Sequence, residues 1–371
     1  MRSFQTYSDQ ACWHAQKAME LCDPRRGGES SSNLLVLALL GLAKGLLQKG
    51  DLNCINYLQR ALVVNQDLHG EEDVSNAAIH EAYGDYYIYQ GESRDGGPAR
   101  KSPQPRDESG VVMSVIDYER NEFEKAIEEY HKARELVQND TDGPPVPAEE
   151  QPPKLSLASI FTKIARTRGK QTRHEDAVEC YQKALAIYTS CAFPNEPAIA
   201  QLNYELGFTY HKVKKYEEAL KVLKKAAQFC EQQHDTGGEH PLTLQVMKQQ
   251  GITLYDMGDL QPALQTFEEL VQMQRTQHGG GSVIVAETLK YLGDVSIAMK
   301  SPGEACSYYN RALKILRKRL GSHDETVRQL VSYIKQLNLE SGGGGGGGGG
   351  GTQRLQEAYR PAGPAIPEGP E

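Results

Sequence analysis

The sequence predicts an all-α solenoid built from repeated helical hairpins. Three observations support this fold class: a small-large-small residue signature recurs along the chain, its later copies are evenly spaced, and an amphipathic segment precedes each copy. Repeats of this kind stack side by side, because a single hairpin cannot bury its apolar face alone. The chain has 371 residues, which is too many for one compact core but suits a repeat array.

The small-large-small signature is clearest in the segment YEEALKVLKKA, where Ala219, Leu223 and Ala226 share one helix face. From Ala177 onward, successive copies lie 42 to 44 residues apart. Chance does not produce so regular a pattern, so each copy is interpreted as the second helix of a hairpin, called helix B. The other copies begin at Cys54, Ala126, Ala177, Ala263 and Ala305.

The first helix of each hairpin, called helix A, bears a small residue upstream of the signature, and in four hairpins this residue is a glycine. A glycine in the middle of a helix costs about 1 kcal/mol relative to alanine. We therefore expect these glycines where helix B approaches too closely for a Cβ atom; they are Gly84, Gly207, Gly251 and Gly293. The pattern predicts hairpins at about 33–69, 72–137, 155–188, 196–233, 240–276 and 284–318, followed by a capping helix at about 324–339.

Composition divides the chain into three parts. We expect an N-terminal helix with a linker over residues 1–32, the repeat array over 33–340, and a disordered polyglycine and proline-rich tail over 341–371. Segments rich in proline, glycine and charge interrupt the array at about 92–115 and 139–154, and we expect both to be disordered inserts. The N-terminal helix is either a partial repeat or a cap.

Charge, cysteine content and hydropathy exclude several classes of protein. The net charge of −8 argues against general affinity for nucleic acid. The seven cysteines contain no CxxC pair, which fits a reducing compartment, and we expect a cytoplasmic protein. The most apolar run, 34–47, is too short to span a membrane and contains Lys44, so it predicts a buried helix and no membrane insertion.

Catalytic and metal-binding motifs are absent from the sequence. It contains no GxxxxGK[ST], HExxH or GxSxG pattern, and its ten histidines are scattered without the spacing of metal ligands. The segments outside the repeats are too short to fold a catalytic domain. We therefore expect a protein that is not an enzyme and that uses no cofactor or metal.

The hairpin unit resembles the tetratricopeptide repeat. The resemblance rests on the Leu206-Gly207 pair of helix A and on the Ala177-Tyr181-Ala184 pattern of helix B. The long spacing, and junctions such as GGEHP before helix A, more narrowly resemble the repeats of kinesin light chains. The resemblance implies a right-handed superhelical solenoid in which the A helices line a concave groove.

The resemblance also implies which side chains face this groove. They are the second, fifth, ninth, twelfth and thirteenth residues of helix A when the glycine is the eighth. They mix basic and aromatic groups, which suits a partner peptide with acidic residues beside a bulky apolar one; an ordinary solvated surface is the alternative. The candidate peptide-groove residues are Arg166, Lys170, Tyr204, Phe208, His211, Lys212, Lys248, Tyr255 and Lys290.

These features favour a non-enzymatic scaffold or adaptor that binds peptide segments of other proteins, motor subunits or chaperones among them. The alternatives are a co-chaperone and an organelle assembly factor built on the same repeats. A chaperone-binding carboxylate clamp needs Asn and Lys or Arg paired across adjacent A helices, and Asn203 lacks the neighbours that would complete it. An imported assembly factor is expected to carry an amphipathic leader rich in Arg and Ser, and the absence of such a leader argues against this alternative.

Overall fold

The computed structural model describes residues 29–92, 115–141, 152–191, 195–235 and 241–342, together with Trp13, His14 and Lys17. These residues form α-helices joined by turns, with one 3-10 turn at Val74–Asn76 and no strand among them. The all-α prediction is therefore confirmed. The predicted N-terminal helix lies almost wholly outside the described residues, as do most of both inserts and the tail from residue 343 onward.

The chain forms two compact units, Met1–Pro194 and Asn195–Glu371. In the described part of the first unit, three hairpins follow one another: α1 (Glu29–Gln48) with α2 (Cys54–His69), α3 (Ala77–Glu92) with α4 (Val115–Thr141), and α5 (Pro152–Lys170) with α6 (His174–Ser190). The described part of the second unit holds α7 (Glu196–Lys212) with α8 (Tyr216–Asp235), α9 (Thr243–Met257) with α10 (Leu260–His278), α11 (Val283–Ala298) with α12 (Pro302–Leu320), and the final helix α13 (Glu325–Gly342), which packs on α12.

The order of the hairpins matches the prediction, and the differences lie at helix ends. Helix α1 begins at Glu29, before the predicted start at 33. Helix α4 continues to Thr141 and α5 begins at Pro152, so both extend into the segment expected to be an insert. A proline in the first turn of a helix removes an N–H that has no intrahelical acceptor, which is why α5 can start on a proline.

Helices A and B approach closely at the predicted glycines. A Cβ atom on Gly293 would lie 2.5 Å from the Tyr309 ring, and one on Gly84 would lie 2.3 Å from the Tyr130 ring. The same relation holds for Gly207 with Leu223 and for Gly251 with Phe267, each at 2.6 Å. These distances are shorter than any ordinary contact of a Cβ atom, so the prediction that the glycines permit close helix packing is confirmed.

The large residue of the helix-B signature forms the centre of each hairpin. Tyr130, Tyr181 and Tyr309 are fully or almost fully buried, at 2%, 0% and 0% exposure. Two of their hydroxyl groups donate to the aspartate that follows the helix-A glycine: Tyr130 to Asp85 at 2.7 Å and Tyr309 to Asp294 at 2.6 Å. A buried hydroxyl needs such an acceptor, because leaving it without one costs about 1–3 kcal/mol.

The residue that follows the glycine changes with its helix-B partner. Where helix B carries Leu223 or Phe267, the position after the glycine holds Phe208 or Ile252 instead of an aspartate. Each of these hairpins therefore uses a matched pair, either a tyrosine with a carboxylate or two apolar side chains. The match keeps polar atoms satisfied and avoids an unpaired carboxylate in the core.

The prediction of a buried helix over 34–47 is right for one face of α1 and wrong for the other. Leu35, Leu39 and Leu42 are buried in the first hairpin, whereas Leu34 and Leu37 are 57% and 65% exposed. Among the described residues, α1 packs on α2 and α3, which cover only one side of it. A continuous apolar run does not reveal which of its faces meets a neighbouring helix.

The first unit contains a carboxylate whose protonation should affect its stability. Glu129 Oε2 lies 2.6 Å from His80 Nδ1, and Lys132 donates to Glu129 Oε1 at 2.7 Å. Burial opposes ionisation of Glu129, but these two partners outweigh it and hold its pKa below the ordinary value. Because the pKa of Glu129 is lower in the folded state, its ionised form stabilises the fold at pH values above the pKa that Glu129 has in the unfolded chain. This stabilisation is lost as the pH falls through the pKa of Glu129 in the folded state.

We expect Glu129→Gln to lower the free energy of unfolding by about 1.5 kcal/mol at about pH 6, and by progressively less as the pH falls from there through the lowered pKa of Glu129. Urea unfolding of both proteins, followed by circular dichroism across this pH range, measures the difference. A difference that stays constant with pH would contradict the assignment of Glu129 as an ionised partner of His80 and Lys132.

Candidate peptide-binding face

Side chains from three successive A helices meet across one face of the second unit. His211 Nε2 of α7 lies 3.3 Å from Asp256 Oδ2 of α9, and Thr253 Oγ1 lies 3.3 Å from His211 Nδ1. Lys248 Nζ of α9 lies 3.5 Å from Glu287 Oε2 of α11. We call this surface the A-helix face of the second unit; it comprises His211, Lys212, Lys248, Tyr255, Asp256, Glu287, Lys290 and Asp294.

Two lysines on this face are held over aromatic rings, and one of them is exposed while the other is partly exposed. Lys212 is exposed, its Nζ lies 5.1 Å from the centre of the Phe208 ring, and no acidic partner contacts it among the described residues. Lys248 Nζ lies 5.8 Å from the centre of the Tyr291 ring. Such contacts contribute about 0.5–1 kcal/mol at exposed sites, so they orient each lysine and leave its charge available to an anion.

A third lysine lies deeper in the same face. Lys290 is only 9% exposed, and burial lowers the pKa of its ammonium group below the ordinary value. Lys248 lowers this pKa further, while Asp294 and Glu287 oppose the effect. The two lysines therefore repel each other, and an anion placed between them would be attracted by both.

The predicted groove residues of the second unit differ in access. Tyr204 is 2% exposed and packs with Leu223, Leu242 and Val246, so it belongs to the core between α7 and its neighbours. Phe208 is 5% exposed and lies beneath Lys212. His211, Lys212, Lys248 and Tyr255 are half-buried or exposed. A position number within helix A could not distinguish these cases, because access depends on which side chains of neighbouring helices pack against each position.

Arg166 and Lys170 lie on α5, which belongs to the first unit. Arg166 is half-buried, and Lys170 forms an ion pair with Glu92 at the end of α3. The structure thus places Lys170 beside a carboxylate of its own chain. An acidic peptide would have to compete with Glu92 for this lysine.

The same surface of the first unit contains a charged network that the sequence analysis missed. Lys163 Nζ lies 2.9 Å from Glu81 Oε1 and 2.6 Å from Asp85 Oδ2, and Asp85 also accepts the Tyr130 hydroxyl. Burial opposes the charge on Lys163, but Asp85 and Glu81 outweigh it and raise its pKa. The signal in the sequence was Asp85 itself, a charged residue placed directly after Gly84 and opposite a buried tyrosine.

The amide that suggested a carboxylate clamp is not accessible in this structure. Asn203 is 3% exposed, and its Nδ2 donates to the Ile199 carbonyl oxygen at 2.9 Å. Its side chain therefore points into the helix packing of the second unit.

Within the described part of the chain, no group of three or more His, Cys, Asp or Glu side chains is arranged to hold a metal ion. None of the described helices combines the length and hydropathy needed to cross a bilayer. The five cysteines that belong to the described residues are free thiols, and burial raises the pKa of Cys54 to about 11, which makes this thiol unreactive near neutral pH.

Comparison with known proteins shows what part of the repeat array is similar to. The tetratricopeptide repeat family matches residues 156–232 and 198–276. The Arabidopsis thaliana protein KINESIN LIGHT CHAIN-RELATED 2 is 22% identical over 176 residues, which cover 47% of this chain and 25% of that protein. The matched segment thus spans about a quarter of the length of this relative.

A solved structure shows the same type of fold. The apo form of RapI has a TM-score of 0.59 at 12% identity, covering 96% of this chain and 84% of RapI, and this likeness concerns the fold alone. BtubC (BKLC) from P. vanneervenii has a lower TM-score of 0.45 at 14% identity, covering 61% of this chain and 94% of that one.

The described helices and their pairing define the class of protein as an all-α helical-hairpin repeat protein. Residues 156–276 match the tetratricopeptide repeat family, and the chain is similar to a kinesin light chain-related protein.

Proposed function

We propose that this protein is a non-enzymatic interaction scaffold that binds peptide segments of partner proteins on the A-helix face of its second unit. The preferred peptides carry acidic residues beside a bulky apolar side chain. The observation that carries this proposal is the pair of accessible lysines, Lys212 and Lys248, each positioned over an aromatic ring on successive A helices.

The charges of the two units explain why the second is the better candidate. In the first unit, Lys163 is neutralised by Glu81 and Asp85, and Lys170 is paired with Glu92. In the second unit, Lys212 has no acidic partner among the described residues, and the Lys248–Glu287 pair is long and partly exposed. An exposed pair of this kind contributes little stability, so a partner carboxylate can replace Glu287 at low cost.

The relatives are consistent with this function. Tetratricopeptide repeats are helical hairpins that expose a long surface to other proteins, and the Arabidopsis relative is named for kinesin light chains. This similarity favours one version of the proposal, in which the protein acts in the cytoplasm as an adaptor that links cargo to a motor. Neither a catalytic group nor a cofactor is needed for such a role.

The double substitution Lys212→Glu/Lys248→Glu should abolish most peptide binding. Peptides selected from a random library on the intact protein are expected to be rich in Asp and Glu beside Trp, Tyr or Leu. Their affinity, measured by fluorescence anisotropy, should fall by about tenfold or more in the variant, since two charge-assisted contacts become repulsive.

The matched control is Lys221→Glu/Lys224→Glu, which makes the same change in charge at exposed positions of helix B α8. We expect the control to change the affinity by less than about twofold. An equal loss in both variants, or selected peptides without acidic residues, would refute the A-helix face as the binding surface. Unchanged thermal unfolding of both variants shows that neither one acts through the fold.

A further inference from the structure

A row of basic side chains lies on the outer side of α12, a B helix in the second unit. Arg311, Lys314, Arg317 and Lys318 are all exposed, and we call them the basic face of α12. Helix α12 contains one acidic residue, Glu304, which lies in its first turn. The surface is separate from the A-helix face because it is formed by the opposite helix of the hairpin.

The geometry of α12 places these charges in one stripe. Arg311, Lys314 and Lys318 are spaced by three and four residues, so they lie one above another on a helix surface. At a rise of 1.5 Å per residue, the stripe from Arg311 to Lys318 is about 10 Å long. The other side of α12 carries Tyr309 and Leu316, which are buried in the core of the second unit.

No acidic side chain among the described residues forms an ion pair with the basic face. Lys314, Arg317 and Lys318 form no ion pair or hydrogen bond through their side chains among the described residues. The guanidinium carbon of Arg311 lies 5.7 Å from the centre of the Tyr308 ring. Like charges at these spacings destabilise a helix by a few tenths of a kcal/mol per pair. A negatively charged partner would remove this repulsion.

The helix dipole accounts for only part of the stripe. Cations in the last turn of a helix are stabilised by its C-terminal carbonyl groups, which explains Arg317 and Lys318. That effect falls off within one turn, so it does not explain Arg311 and Lys314. The stripe therefore extends beyond what the stability of α12 requires.

The surroundings of the stripe limit the shape and chemistry of a partner. On one side, Glu268 of α10 accepts a hydrogen bond from the Tyr308 hydroxyl at 3.1 Å, which places a negative charge at the edge of the stripe. Leu320 is the large apolar side chain that the described part of α12 exposes, and it is 44% exposed. A wide anionic surface such as a membrane or duplex nucleic acid would meet Glu268, and a membrane-binding helix needs a broad apolar face that α12 does not expose.

We propose that the basic face of α12 is a second docking surface, which binds a narrow acidic segment of a partner protein through carboxylates that pair with Arg311, Lys314 and Lys318. Leu320 supplies an apolar contact at one end of this segment. Arginine and lysine pair with carboxylates by charge-assisted hydrogen bonds, and such surfaces also increase the rate of association.

The test uses a fluorescein-labelled polyglutamate peptide and the full chain at physiological ionic strength. The variant Arg311→Glu/Lys314→Glu/Lys318→Glu should weaken binding by about tenfold or more. The variant Lys221→Glu/Lys224→Glu/Lys225→Glu, with the same change in net charge on α8, should weaken it by less than about twofold. The variant Lys212→Glu/Lys248→Glu should weaken it by less than about twofold, because polyglutamate lacks the bulky apolar side chain that the A-helix face is proposed to prefer; a loss as large as that of the α12 variant would overturn the proposal.

Equal losses in the α12 and α8 variants would show a general effect of charge and would overturn the proposal. Tighter binding of phosphatidylserine vesicles or of duplex DNA than of polyglutamate would also overturn it, because the partner would then not be an acidic protein segment. Selective loss in the α12 variant, with circular dichroism showing an unchanged fold, would support it.

Discussion

Replacing Gly293 by alanine is expected to destabilise the second unit by about 2 kcal/mol, although alanine is the better helix former. The added Cβ atom would lie 2.5 Å from two atoms of the Tyr309 ring. That ring cannot move away freely, because it is fully buried, its hydroxyl donates to Asp294, and it packs edge-on against Tyr333. Either helix α11 must shift from α12 or the Tyr309–Asp294 hydrogen bond must lengthen. Urea unfolding followed by circular dichroism measures the loss.

Gly303 provides a matched control on the partner helix. It lies in the first turn of α12, and no atom lies within 4 Å of the position that a Cβ would occupy. Gly303→Ala should therefore leave the free energy of unfolding unchanged or raise it by up to about 1 kcal/mol. If both substitutions had the same effect, the close approach of α11 and α12 would not be the reason for a glycine at position 293.

The hairpins could be predicted from the sequence because their packing depends on residues that are local and repeated. In four of the hairpins, the glycine of helix A and the large residue of helix B, such as Gly84 with Tyr130, form a pair that lets the two helices approach closely. Such a pair recurs at a regular interval and can be recognised without knowledge of the fold. Helix ends, such as the start of α1 at Glu29, depend on capping and on neighbouring segments, so the pattern located them less accurately.

The candidate site was less predictable, because access and pairing arise between hairpins. Tyr204 and Lys248 occupy the same position in their A helices, yet Tyr204 is buried in a core cluster and the Lys248 side chain is 25% exposed. The two side chains differ in exposure because of the residues that the following hairpin packs against them. A rule based on the position within one A helix does not include those residues. The ion pairs of Lys163 with Glu81 and Asp85 also join two hairpins, and neither helix alone suggests them.

Replacing Lys163 by methionine is expected to cost about 3 kcal/mol of stability in the first unit. The substitution would leave Glu81 and Asp85 without their shared cation, next to the hydroxyl of the buried Tyr130. Two carboxylates at such a site repel each other, and a partly buried charge without a partner is strongly destabilising. Urea unfolding at neutral pH measures the loss, with Lys183→Met as control. Lys183 is an exposed lysine of α6 that pairs with Glu179, and its replacement should cost less than about 0.5 kcal/mol.

A compensating variant separates the unpaired charge from the lost volume of the lysine. In Lys163→Met/Glu81→Gln/Asp85→Asn, the methionine fills a similar space, both carboxylates become neutral amides, and the new amide oxygen at position 85 can still accept the Tyr130 hydroxyl. Replacing all members of a buried charged network is often close to neutral, whereas removing one member is not. We therefore expect the triple variant to recover most of the stability lost in Lys163→Met. A triple variant as unstable as the single one would show that the lysine acts through packing, and that the network on the first unit is not held together by its charges.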